Sequence, residues 1–281
     1  MKKTVPRSGI WLRQTLTTAF FIFIFLSSFR VANAQESSFE AAYQDYVQAQ
    51  TVYSRADLDY QKAKSFYLKN QTLALKDDAR NKTLIMLRAR DEVVKTYLTV
   101  LKSKILETNG LNQTEKDTVL GKVDSELLWY KTHGESYKDS DSLENLFNKS
   151  QEVETRYKTD TPIIFYDALF NISFGEVVEL RLDHEDLFTS IKETLDKNVA
   201  EGKLEPDPFT RWQRDVDSVI YSLQVNEVNA KKEMAKLYAE GSPLPSKIFT
   251  SAVEPFLYST ALLKQFNSFL SELLISINTQ L

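Results

Sequence analysis

The chain has 281 residues and a net charge of −4, with no cysteine, two histidines and seven glycines. The absence of cysteine excludes thiol nucleophiles and zinc–thiolate sites, and the net negative charge disfavours nucleic acid as a partner because it repels phosphate groups. Phosphate-binding loops and nucleophile elbows need glycine, so its scarcity argues against both.

The N-terminus has the pattern of a secretory signal peptide over residues 1–34. Four basic residues precede the apolar run TLTTAFFIFIFLSSF (15–29), and the small residues Ala32 and Ala34 follow it. The run is shorter than the roughly 20 residues of a membrane-spanning helix, so we expect cleavage after Ala34 rather than a retained anchor. A secreted or cell-envelope protein is predicted, which touches the membrane only through the uncleaved signal peptide. The processed chain would carry 30 basic and 39 acidic residues, a net charge of −9.

A long helical hairpin is predicted over residues 35–108. Its first helix, about 36–69, has a tyrosine and an alanine that each recur every seven residues: Tyr46, Tyr53, Tyr60 and Tyr67, with Ala42, Ala49, Ala56 and Ala63. This is the spacing of a coiled-coil seam. Small alanines would let a second helix approach closely, while the tyrosine rings pack over its flanks. A ligand-stacking role for the tyrosines is the alternative, and the heptad spacing favours packing.

The second helix of the hairpin is predicted to begin at an N-cap formed by Asp77 or Asp78. One continuous rod is the alternative to a turn before these residues. Asp91 interrupts the apolar row of this helix, and we expect Arg88 or Lys95, one turn away on either side, to pair with it.

Residues 109–199 are predicted to form a helical bundle. Gly110 would end the hairpin in a left-handed conformation, and Thr114 would cap the following helix. Ser142 would cap a helix over about 142–158, and Pro162 suits the first turn of the next one. That helix would run to about 198, with a kink or break near Gly175.

A linker is predicted at 200–209, followed by a C-terminal helical hairpin over 210–281. The last helix, about 246–278, has an apolar row: Leu262, Phe266, Phe269, Leu270, Leu273 and Ile277. Its opposite face is not basic, so a buried seam is favoured over a position on a membrane surface. The predicted fold is therefore all-α: an elongated antiparallel bundle of about seven helices, led by a long coiled-coil-like hairpin.

The only candidate for chemistry is an acidic stripe within residues 176–186. Its members are spaced three, four and three apart: Glu176, Glu179, Asp183 and Asp186. Such a stripe could be a divalent-cation site or an acid/base pair for hydrolysis, or it could be a solvated helix face with Arg181 and Lys192 as partners. We favour the second interpretation. His133 and His184 lie in no ExxH or HExxH motif, so no catalytic residue, metal ligand or cofactor is predicted.

Three segments carry a resemblance to known proteins: FEAAYQDYVQAQTVYSRADLDYQKAKSFYLK, ARDEVVKTYLTVLKSKI and EKDTVLGKVDSELLWYKTH. They resemble a group of secreted all-helical proteins of unknown function from small-genome, uncultured bacteria, over about residues 38–240. The resemblance implies export and a helical bundle. It carries over no catalytic or binding residue, because its motifs are packing motifs.

These features predict an exported, non-enzymatic helical bundle of the cell envelope that acts through protein–protein contacts. Apolar surface left exposed on the hairpin would be the docking site, because the contacts that pair two helices can also recruit a third. Two alternatives stay open. One is a helical module that holds an apolar or lipid-like ligand, and the other is a metal-assisted hydrolase that uses residues 176–186.

Overall fold

The computed structural model describes residues 38–205, 207–239, 241 and 243–280. The predicted signal peptide, residues 1–34, and its cleavage site after Ala34 lie outside the described residues. Ser38–Leu281 forms a compact unit of its own. Within the described part of the chain, no helix combines the length and the apolar character that a membrane span requires.

Seven α-helices form the described part of this unit, and it contains no strand. They are α1 Ser38–Asn70, α2 Leu73–Glu107, α3 Gln113–Ser136, α4 Leu143–Thr159, α5 Thr161–Ala200, α6 Asp207–Met234 and α7 Pro245–Gln280. A short 3₁₀ helix, Ala235–Tyr238, follows α6. The prediction of an all-α bundle of about seven helices is confirmed.

The tyrosine–alanine stripe lies where α1 packs against α2. The four heptad alanines are buried and so is Tyr46, while Tyr53 and Tyr60 pack over the edge of the interface. The Ser38 hydroxyl at the start of α1 donates to Glu107 at the end of α2 over 3.1 Å. The two helices therefore run antiparallel, and the predicted packing role of the stripe is confirmed.

The turn of the hairpin is shorter than predicted. The helix α2 begins at Leu73, and the hydroxyl of Thr72, not Asp77 or Asp78, accepts from the backbone N–H of Leu75. Thr72 has the extended backbone of an N-cap residue, with φ −83° and ψ 159°. Only two residues separate α1 from α2, so both aspartates lie inside the helix and the continuous rod is wrong.

The loop before α3 also differs from the prediction. Asn112 caps α3 and forms a reciprocal capping box with Glu115, so Thr114 is not the cap. Gly110 does not adopt the left-handed conformation. A Cβ at Gly110 would lie 2.0 Å from the backbone oxygen of Gly175, because this loop lies directly on α5. The helix α5 is continuous across Gly175, so no break occurs there.

The other predicted helix starts in this region are confirmed. The Ser142 hydroxyl accepts from the backbone N–H of Asn145 over 3.1 Å and caps α4. Pro162 occupies the first turn of α5, where its missing N–H costs no hydrogen bond.

Helices α5, α6 and α7 enclose a second apolar core. The predicted row on α7 contributes the buried residues Phe266, Leu270, Leu273 and Ile277, and Leu262 and Phe269 pack against its edge. The helix α5 ends at Ala200 and α6 begins at Asp207, so helix extends into both ends of the predicted linker 200–209. Leu204 and Phe209 within the predicted linker are buried in this core.

Candidate functional site

Two carboxylates lie almost completely inside the bundle. Asp91 on α2 has a relative exposure of 1%, and Glu126 on α3 has one of 2%. Burial of an ionised carboxylate is costly unless cations and hydrogen-bond donors surround it. The surroundings of these two residues therefore show how the helices are joined.

Asp91 is held between a histidine and an arginine. One carboxylate oxygen lies 2.8 Å from Nδ1 of His133 on α3, and the other accepts two bonds from the guanidinium of Arg90, at 3.1 and 3.2 Å. The predicted partners are wrong, because Arg88 pairs with Asp139 and Lys95 pairs with Glu92. Asp91 interrupts the apolar row because it pairs with Arg90 of its own helix and bonds to His133 of α3.

Glu126 is the centre of a second cluster. Its carboxylate accepts from Nε and Nη2 of Arg156 on α4, the shorter bond being 2.6 Å, and from the Thr161 hydroxyl over 2.6 Å. The Tyr130 hydroxyl lies 3.0 Å from that of Thr161. This cluster therefore joins α3 to α4 and to the start of α5.

Trp129 connects the two clusters. Its ring stacks on the His133 ring at 5.0 Å between centroids and 12° between planes, and the Arg156 guanidinium lies 4.7 Å from the Trp129 ring. The half-buried Trp129 thus packs as an anchor between helices, as Trp212 does at the edge of the α5–α7 core.

The Asp91–His133 pair resembles the acid–base half of a catalytic triad but lacks a reaction partner. Nε2 of His133 lies 3.1 Å from the carbonyl oxygen of Lys149, which can only accept a hydrogen bond. Both ring nitrogens are therefore engaged, and the side chain is only 5% exposed. A substrate could not reach either nitrogen without displacing α4, so the pair is suited to holding helices together.

A small cleft of about 210 Å³ opens between α3 and α5, lined by Thr114, Glu115, Thr118, Lys122 and Asn171 among others. The Asp167 carboxylate lies at its base and accepts from Lys122 over 2.8 Å and from Asn171 over 3.1 Å. The Tyr238 hydroxyl also donates to Asp167. Burial of that hydroxyl and its bond to Asp167 raise the pKa of Tyr238.

The charged groups of this cleft neutralise one another. Lys122 donates to Asp167 and to Tyr238, and at the rim Lys231 pairs with Glu115 over 2.5 Å. The cleft is therefore small and lined mostly by polar and charged residues, which suits an ion-pair network between α3, α5 and the 3₁₀ helix.

The acidic stripe does not converge on one point. Glu176 pairs with Lys104 over 2.9 Å, Glu179 accepts from Asn109 over 3.0 Å, and Asp183 and Asp186 are exposed. Arg181 instead contacts Glu185 and Glu227, and Lys192 contacts Asp196, so the expected partners of the stripe are wrong. No group of three potential metal ligands occurs among the described residues.

The outward face of α1 carries a second heptad row, which we call the outer seam. Its six exposed residues are spaced alternately three and four apart: Gln44, Val47, Thr51, Ser54, Leu58 and Gln61. None is charged, and Leu58 is 61% exposed. Among the described helices, only α2 has a backbone close to that of α1. The outer seam therefore faces away from the bundle.

Comparison with protein-family models, with curated proteins and with solved structures finds no match to this chain.

Sequence reasoning missed His133 as a partner of Asp91 because it is 42 residues away, and the partners of Glu126 because they are 30 or more residues away. It missed Arg90 because neighbouring residues of a helix do not normally face each other. The interruption of an apolar row by Asp91 was a signal that could have located one of the two carboxylates. The spacing of three and four residues could have identified the outer seam from the sequence. The tyrosine–alanine stripe of the same helix has larger side chains and gives the stronger periodic signal.

Proposed function

We propose that this protein is an exported, non-enzymatic helical bundle of the cell envelope that works by binding another protein, and that the outer seam of α1 is its docking surface. The observation that carries the proposal is that α1, 33 residues long, has only the backbone of α2 close to its own among the described helices and presents an uncharged heptad row on the other side. A row with this spacing is complementary to an amphipathic helix.

The composition of the outer seam supports a helical partner. Thr51 and Ser54 are small and would let a second backbone approach, as the alanines do on the inner side. Val47 and Leu58 supply apolar contact area, with relative exposures of 39% and 61%. The heptad geometry that already joins α1 to α2 would thus be repeated on the opposite face.

The interior of the bundle supports a non-enzymatic role. The buried acids Glu126 and Asp167 each contact a cation from another helix, Asp91 contacts Arg90 and His133, and Asp141 contacts Lys149. Ion pairs of this kind fix helix positions and leave little freedom for a catalytic group to change its protonation.

Site-specific photo-cross-linking in the native envelope tests the proposal. A photoreactive residue at Leu58 should capture one protein reproducibly, and one at Val47 should capture the same protein. Leu257, which is 74% exposed on α7, is the matched control position and should not capture it. Capture of the same products from Leu58 and Leu257, or of none from Leu58 and Val47, would contradict the proposal.

A further inference from the structure

The turn of the hairpin has a surface unlike the rest of the chain. The large apolar side chains Phe66, Leu68 and Leu73 have relative exposures of 55%, 62% and 75%. All three lie within five residues of the two-residue connection between α1 and α2. They form an exposed apolar group at one end of the hairpin, away from the bundle core to which α2 contributes.

Basic residues surround this apolar group. Residues 61–80 contain five basic and two acidic residues, a net charge of +3, whereas the whole chain has a net charge of −4. Lys62, Phe66 and Lys69 follow the i, i+4, i+7 spacing of one helix face, and Lys64 precedes Leu68 by one turn. The long stems of Lys62 and Lys69 can lie beside apolar groups while their ammonium groups reach outward. The Lys64 ammonium lies 5.4 Å from the centre of the Tyr60 ring.

We propose that the hairpin tip, defined as Lys62, Lys64, Phe66, Leu68, Lys69 and Leu73, binds the surface of an anionic lipid bilayer. Positive charge is attracted to anionic headgroups, and exposed apolar side chains beside it can enter the boundary between headgroups and acyl chains. Charge complementarity selects this occupant. The negative surface of such a membrane attracts the basic hairpin tip, and it repels the rest of the protein, which is acidic.

This inference concerns a surface separate from the outer seam and does not depend on the proposed function. The tip would place the hairpin upright or inclined on the membrane by one end only. The outer seam, which ends at Gln61, would then stay accessible to a protein.

Vesicle flotation tests the proposal with protein that begins at Gln35, because Ser38–Leu281 is a compact unit of its own. The probes are phosphatidylcholine vesicles with and without phosphatidylglycerol. We expect binding to the phosphatidylglycerol vesicles at low salt, and a fall of about tenfold or more at high salt, where charges are screened.

Two variants separate the charge from the apolar contribution. The triple variant Lys62→Gln, Lys64→Gln, Lys69→Gln should weaken binding by about tenfold or more, since each lysine near an anionic surface contributes to binding. The variant Phe66→Ser, Leu73→Ser should weaken it as well. The matched controls should bind like the parent: Lys131→Gln, Lys232→Gln, Lys264→Gln for charge, and Phe147→Ser, Leu257→Ser for apolar area, all at exposed positions.

Each other outcome would overturn the proposal. These outcomes are no binding of the parent protein to phosphatidylglycerol vesicles, equal binding by the tip variants and their controls, and equal binding to vesicles without phosphatidylglycerol. Cross-links from the tip lysines to an acidic protein without vesicle binding would assign the tip to a protein partner. A dimer in solution that the tip variants dissociate, again without vesicle binding, would assign it to a second copy of the chain.

Discussion

Nδ1 of His133 lies 2.8 Å from a carboxylate oxygen of Asp91, and the two side chains are 5% and 2% exposed. The pair joins α2 to α3, and the bond from Nε2 of His133 to the carbonyl of Lys149 extends the connection to α4. Three helices thus meet at one imidazole ring. The energetic weight of this junction can be measured by removing the negative charge without changing the volume.

The first prediction concerns that charge. Asp91→Asn should lower the free energy of unfolding by about 3–5 kcal/mol, because it leaves the guanidinium of Arg90, in a side chain only 14% exposed, without its counter-charge and weakens the bond to His133. Urea denaturation followed by circular dichroism measures the change. Asp124→Asn is the control, because Asp124 pairs with Lys102 at the surface and its side chain is 49% exposed. This variant should lose less than about 1 kcal/mol of unfolding free energy. Equal losses for both variants would mean that the buried pair carries no special weight.

A second prediction follows from the contact between the α2–α3 loop and α5. Gly110→Ala should destabilise the protein by about 1–3 kcal/mol, because the added Cβ would lie 2.0 Å from the backbone oxygen of Gly175, which cannot rotate away. Thermal and urea unfolding measure the loss.

The control for Gly110 is another glycine of the same chain. Gly121 lies inside α3, and a Cβ there would meet no atom within 4 Å. Gly121→Ala should therefore stabilise the protein by about 0.5–1 kcal/mol through its helix propensity. A stabilised Gly110→Ala variant would show that the loop does not rest on α5 in solution.

The features that sequence reasoning predicted well are local and periodic. The tyrosine–alanine stripe and the apolar row of α7 repeat with the turn of the helix, so neighbouring residues reinforce one another and the buried face can be identified without tertiary knowledge. Ser142 and Pro162 were located for a similar reason, since each combines a preferred residue type with a preceding break in the pattern.

The features that were missed depend on distant residues or on a choice between similar ones. Thr72 was passed over because Asp77 and Asp78 are equally good capping types, and only the tertiary turn length decides among them. Gly110 was assigned a local role, but its neighbour Gly175 is 65 positions away in the sequence. No local rule connects such a pair.

A third prediction tests the close approach of α1 and α2. Ala56→Leu should destabilise the hairpin by about 1–3 kcal/mol, because Ala56 is 7% exposed and packs with Leu84 and Leu87 of α2. Ala41→Leu adds the same atoms at an exposed position of the same helix and should change stability by less than about 0.5 kcal/mol. If the two variants had the same unfolding midpoint, close packing at the alanines of α1 would be contradicted.

The last prediction concerns pH and Asp141, which lies just before α4. Two hydrogen bonds lower the pKa of the Asp141 carboxyl below its usual 3.8. The larger effect comes from the backbone N–H of Lys138 at 2.9 Å, and the next from the ammonium of Lys149 at 2.5 Å. A carboxyl whose pKa is lower in the folded state stabilises the fold above its unfolded pKa, and loses that contribution as the pH falls through the folded value.

Asp141→Asn should therefore be less stable than the parent protein at neutral pH, and the difference should shrink below pH of about 4. Urea unfolding of both proteins across that range measures it, with Asp139→Asn as the control because the Asp139 side chain is 88% exposed. A difference that persists unchanged in acid would show that Asp141 acts through packing and not through its charge.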